Sequence, residues 1–166
     1  MGAYNHFEYG EMLATKLKAI RHSADRPRFY KSVETDARAD IEQRLSEAKG
    51  TILIAHDSLM SDFEYKNADS LMESMPYEFD VLLQTESGDA RTVMAASDSC
   101  KNILKQIISK MMLDYEASAN GLEALDPGSF KIEPIGPVRD NFYGAALLFS
   151  LATGLDYRFN PEDWED

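Results

Sequence analysis

The stretch that decides the fold is Asp98–Ser118, DSCKNILKQIISKMMLDYEAS. Ile103, Ile107, Met111 and Tyr115 recur four residues apart, and Leu104, Ile108 and Met112 make a second row beside them. On a helix of about 3.6 residues per turn these rows merge into one broad apolar stripe, which must be substantially buried. Ser97 or Asp98 can cap the start, because a side-chain oxygen there accepts from amides that lack a partner in the first turn. Asn120-Gly121 closes the end, since both residues accept the left-handed backbone that terminates helices. Cys100 falls in the first turn, where the helix dipole can lower a thiol pKa. With no histidine near it in sequence, it reads as a small buried residue.

Outward from this helix the period changes to two. Upstream, Tyr77, Phe79, Val81 and Leu83 alternate with Glu78, Asp80 and Gln84, the pattern of a strand with one wet face. Ser87-Gly88-Asp89 reads as a tight turn, with Arg91 to Ala96 returning as a partner strand. Downstream, Asp126-Pro127-Gly128 is a turn, and Phe130 to Ile135 is a strand halted by Pro134 and Pro137. Asn141 to Thr153 is a long strand with apolar residues on both faces: Tyr143, Ala145, Leu147, Phe149 and Leu151 on one, Phe142, Ala146 and Leu148 on the other. Gly144 between them allows a neighbour to approach closely or a bulge to form.

Towards the N-terminus, Tyr9, Leu13, Leu17 and Ile20 place an amphipathic helix over about Tyr4 to His22, broken by the loop containing Pro27. A second helix spans about Glu34 to Lys49 and ends at Gly50, with Ala37, Ile41, Leu45 and Ala48 inward. Thr51 to Ala55 is a short β-branched strand. The polar, Met-rich Ser61 to Pro76 is consistent with either a loop or a short helix. The expected architecture is α+β: a mostly antiparallel sheet of about four to five strands, with the long central helix and the N-terminal helices packed on one face. Residues 1–166 read as a single domain, with helix 4–22 peripheral and an acidic tail over 160–166.

Composition bounds function. The 166 residues carry 29 acidic against 17 basic groups, a net charge of -12. Such a chain repels polyphosphate and anionic lipid, so specific nucleic-acid binding and membrane attachment are not expected. The N-terminus has neither the basic start nor the apolar run of a secretory signal, and no segment approaches the roughly 18 apolar residues of a membrane span. One cysteine, Cys100, fits a reducing compartment.

No catalytic, cofactor or metal set stands out. Ile52-Leu53-Ile54-Ala55-His56-Asp57-Ser58-Leu59 resembles the nucleophile block of GDSL-type esterases. However, His56 replaces the glycine of that turn, and no histidine follows to serve as base. His6, His22 and His56 lack the spacing of metal ligands, and Asp57, Asp62 and Glu64 lack that of a calcium loop. Glycines are scattered among turns rather than gathered into a phosphate loop. The Met-rich pieces read as core filling. Trp164, alone in its acidic tail, either anchors a partner or folds back onto the domain.

The end of the chain carries a resemblance. Ser129-Phe130-Lys131-Ile132-Glu133-Pro134-Ile135-Gly136-Pro137-Val138-Arg139-Asp140-Asn141-Phe142-Tyr143-Gly144, then an apolar strand and a final Asn160-Pro161-Glu162-Asp163-Trp164, resembles tail-terminator and tail-completion proteins of phage and prophage-like clusters. The order helix, strands, helix, strands is similar over residues 28 to 164. The resemblance implies a non-enzymatic subunit without cofactors. It would assemble as a ring of like subunits, a hexamer, where the tail tube ends or meets the head connector. Partners would be tube, sheath or connector proteins, and the location the virion tail, or the cytoplasm during assembly. Phe142, Tyr143, Gly144 and Trp164 are the candidate interface residues, and the loops Ser61 to Met75 and Ser118 to Gly128 are docking candidates. Two other classes fit the charge. One is an acidic immunity- or inhibitor-like module that covers a basic partner; the other is an enzyme whose paired carboxylates share a cleft.

Overall fold

The computed structural model describes residues 2–33, 38–57, 60–67, 70–86 and 89–165. The elements run α1 (His6–Lys16), β1 (Phe29–Val33), α2 (Arg38–Arg44), β2 (Thr51–Asp57), β3 (Asp62–Asn67), β4 (Ser70–Gln84), α3 (Ala90–Glu116), β5 (Leu125–Val138) and β6 (Phe142–Gly154). The architecture is α+β. One six-stranded sheet has the order β1-β2-β4-β6-β5, with β3 also paired to β4, and every pairing but β1 with β2 is antiparallel.

Parity along the strands assigns the two faces. Leu53 and Ala55 of β2, Phe79 and Val81 of β4, and Ala145, Leu147, Phe149 and Leu151 of β6 join Tyr9 and Leu13 of α1 and Ile103, Leu104, Ile107 and Met111 of α3 in the main core. The opposite parity, Ile52, Ile54, Leu82 and Phe142, packs under Ile41, Leu45 and Ala48 in a second core. Thus α1 and α3 cover one face and α2 covers part of the other. The expected second helix therefore lies across the sheet from the other two. Each large side chain buried this way contributes about 1.5–3 kcal/mol.

The expected return strand at 91–96 is replaced by helix. Asp89, not Ser97 or Asp98, is the cap: its Oδ1 accepts from the Arg91 amide at 2.9 Å, and the Thr92 hydroxyl donates to the Asp89 carbonyl at 2.9 Å. The helix therefore starts at Ala90, and the buried Ala96 lies well inside it. Residues 87 and 88 lie outside the described residues. At the far end Asn120 (φ 57°) and Gly121 (φ 74°) adopt the expected left-handed backbone.

Within the undecided stretch from 61 to 76, residues 62–67 and 70–76 are strand. β2 and β3 lie end to end along one edge of β4: Thr51 through Asp57 pair with Leu83 through Tyr77, and Asp62 through Asn67 with Ser74 through Ser70. Both lie along the same edge of β4 and make it one side of a long ribbon. Pro76, which has no amide proton for a ladder, lies between Ser74, the last β4 residue paired with β3, and Tyr77, the first paired with β2, and faces Ser150 of β6 on its other side. Asp126-Pro127-Gly128 lies within β5, where the register with β6 shifts between Asp126 and Lys131, so the expected turn is a bulge.

The β6 strand shows the alternation expected of it. At Gly144 an added Cβ would lie 1.9 Å from the Val81 carbonyl oxygen, so no other residue fits there.

Candidate functional site

The four residues expected at an interface are scattered by the fold. Phe142 is 1% exposed inside the second core, and Gly144 is pressed against β4. Tyr143 is partly buried. Trp164 is 69% exposed and meets the Phe159 ring at 5.8 Å between centroids. The long helix and the closing strand hide their own apolar rows within the chain. Exposed apolar surface collects elsewhere.

It collects on the ribbon. Beyond the reach of α1 and α3, β3, the first half of β4 and the end of β6 continue the sheet, with Phe63 and Tyr65 opposite Glu73 and Leu71. The Leu155 amide, the first beyond β6, donates to the Leu71 carbonyl at 2.9 Å, so Tyr65 of β3, Leu71 of β4 and Leu155 form one row. Phe63, Tyr65 and Leu155 are 56%, 62% and 40% exposed. Their parity is that of Phe79 and Leu147, so they extend the core face of the sheet past the point where helices cover it. Phe159 and Trp164 follow in a terminal segment exposed from Leu155 onward.

A second arrangement, polar and far apart in sequence, lies on the opposite face beside the second core. β2 and β4 place His56 directly across from Glu78, and Asp80 two residues further along β4 on the same face. His56 Nε2 and Asp80 Oδ2 are 2.6 Å apart, and the three groups each offer a ligand atom within 4.8 Å of the others. Asp80 is 6% exposed, and its other carboxylate oxygen, Oδ1, is buried without a hydrogen-bond partner. Burial, then the Asp80 carboxylate beside it, pushes the Glu78 carboxyl up to about 8. Glu133 of β5, two strands beyond Asp80 across Ala146, adds to that repulsion. Burial lowers the His56 pKa, but the hydrogen bond it donates to Asp80 and the charge of that carboxylate outweigh this and leave it raised. The cluster can therefore share a proton or accept a cation.

From the far side of the sheet His6 fixes the strand that carries these acids. Its Nε2 lies 3.0 Å from the Glu78 carbonyl oxygen, its Nδ1 lies 2.8 Å from the Tyr4 hydroxyl, and its ring stacks on Phe79 with centroids 4.3 Å apart.

Sequence reading missed the cluster, because Glu78 and Asp80 alternate with core residues like any wet strand face. One signal was present: an acidic residue between Phe79 and Val81, with Leu82 on its own face, sits deeper than a solvated face requires. Ser58 of the esterase-like block lies outside the described residues, and His56 of that block is paired with Asp80. Cys100 is fully buried, and burial pushes its thiol up to about 12. No helix among the described residues is long and apolar enough to cross a membrane. No protein-family model matches the chain, and no curated protein matches it.

Proposed function

We propose that this chain is a structural subunit of a phage-like tail, a tail terminator or tail-completion protein that assembles as a ring at the tube end or the head–tail junction. The observation that carries the reading is the bare core-facing side of the ribbon, where Phe63, Tyr65 and Leu155 stand in solvent beyond the helix layer. A contiguous apolar patch on an otherwise acidic protein is a contact surface for protein. The element order agrees with the resemblance: a helix and strands, a long helix, then a closing strand pair. The docking residues under this reading are Phe63, Tyr65 and Leu155 with the terminal Phe159 and Trp164. Of the four expected from sequence, only Trp164 remains strongly exposed.

Light scattering after size-exclusion chromatography, followed by electron microscopy of the peak, tests the reading. The expected result is a closed ring at rising protein concentration. Replacing Phe63 and Tyr65 together by serine should shift the chain toward monomer while leaving its melting temperature nearly unchanged, because exposed side chains typically change stability by less than about 0.5 kcal/mol. A strict monomer at the highest attainable concentration overturns it.

A further inference from the structure

We propose that His56, Glu78 and Asp80 form a binding site for one divalent cation of the first transition row, of the zinc type. The site is assembled by pairing β2 with β4, since two of its members face each other across the ladder and the third follows at the next same-face position. No flexible loop contributes to it. The ligand atoms already lie within 4.8 Å of one another, so small side-chain rotations bring them around a common centre.

The observation that separates this cluster from an ordinary acidic surface is Asp80. A carboxylate that is 6% exposed carries a large desolvation cost, and one of its oxygens has no partner to offset it. The hydrogen bond to His56 serves the other oxygen only. A cation between Glu78 and Asp80 would engage the orphan oxygen, and its double charge would cancel both carboxylates, whereas a shared proton cancels one.

Donor chemistry selects the ion. Calcium and magnesium require six or more oxygen ligands, or several retained waters, and gain little from imidazole. One imidazole and two carboxylates suit zinc and its neighbours, for which three protein ligands leave a position open. His56, whose side chain is 31% exposed, marks the solvent side on which that position lies. His6 would act at one remove, by holding the Glu78 backbone in place.

The test is calorimetric titration of the chelator-stripped full chain with Zn2+, with Co2+ as a spectroscopic probe of the ligand set. The expected result is one site per chain that excess Ca2+ does not displace. Glu78→Gln and His56→Gln should each weaken it by more than about tenfold, the lower end of what even an outer partner of a metal contributes. Glu78 is only partly buried, so E78Q tests the site without relying on D80N remaining folded. His22→Gln, which alters a histidine beside Glu11 remote from the cluster, should bind Zn2+ like the parent. Absence of binding heat, equal affinity in E78Q and the parent, or loss of the site in H22Q overturns the proposal.

Discussion

At the scale of single residues, the fold is pinned by polar groups that periodicity treats as surface. Asp114 is the clearest case. It sits on the long helix between Leu113 and Tyr115, yet is 4% exposed, accepting from the Tyr9 hydroxyl at 2.8 Å and from Lys110 one turn back. Burial raises its pKa, but hydrogen bonds from Lys110, Tyr9 and Asn120 outweigh that and hold the carboxyl below its usual range. The native state therefore binds this proton less readily than the unfolded chain, whose aspartates titrate near about 3.9. The stabilisation is complete above that value and is lost as pH falls through the folded pKa. Asp114→Asn should cost about 1–2 kcal/mol near neutrality, in the lower range for charge-assisted bonds because Lys110 is partly exposed. Urea denaturation should show the gap between parent and variant closing below about pH 4; a pH-independent gap would show that the carboxylate charge is not the cause. Neither this network nor the His56 cluster is legible in the sequence. Tyr9 and Asp114 are 105 positions apart and His56 and Asp80 are 24 apart, and no local pattern records which polar residues a fold will bring together.

At the scale of elements, long one-period segments were legible and junctions were not. The stripe from Ile103 to Met111 is buried as its spacing requires, and β6 alternates as read. The failure at 91–96 has a local cause. Thr92 and Val93 favour strands, but Arg91, Met94, Ala95 and Ala96 are good helix formers, and a capping Asp89 precedes them. The cap accounts for the helix, so its removal is the check: Asp89→Ala should lower stability by about 1 kcal/mol and reduce helical circular dichroism at the first turn. A change within error would mean that packing of Ala96 and Cys100 alone sets where α3 begins. The segment 61–76 was opaque for another reason. Its strands mix Glu73 and Pro76, residue types depleted in strands, with Met and Ser, and β4 finds its partner β6 some eighty residues downstream in the register of Met72 with Gly154.

At the scale of the whole molecule, a single sheet serves two territories. One is sandwiched between α1 and α3 on one face and α2 on the other, and holds the His56 cluster at its margin. The other is the outlying ribbon of β3, the start of β4 and the end of β6, which no helix among the described residues backs and which bears the bare aromatics. Charge and the order of periodic segments were legible enough to indicate an acidic α+β chain. They could not foretell that its apolar surplus would lie on a stretch of chain that looked polar.

Pro76 marks the border between the two. At this point β4 has left β3, whose pairing ends at Ser74, and not yet met β2, whose pairing begins at Tyr77, and Pro76 itself has no amide proton to donate. A seam of this kind lets the outer limb fray and bend without melting the body, since local opening costs only what the opened unit holds. Amide exchange should therefore fall into two tiers, rapid over residues 62–67 and 70–75 and slow from 77 to 83, and uniform protection across the seam would mean a rigid plank. A limb that yields in this way could settle against an uneven neighbour while the body keeps its shape.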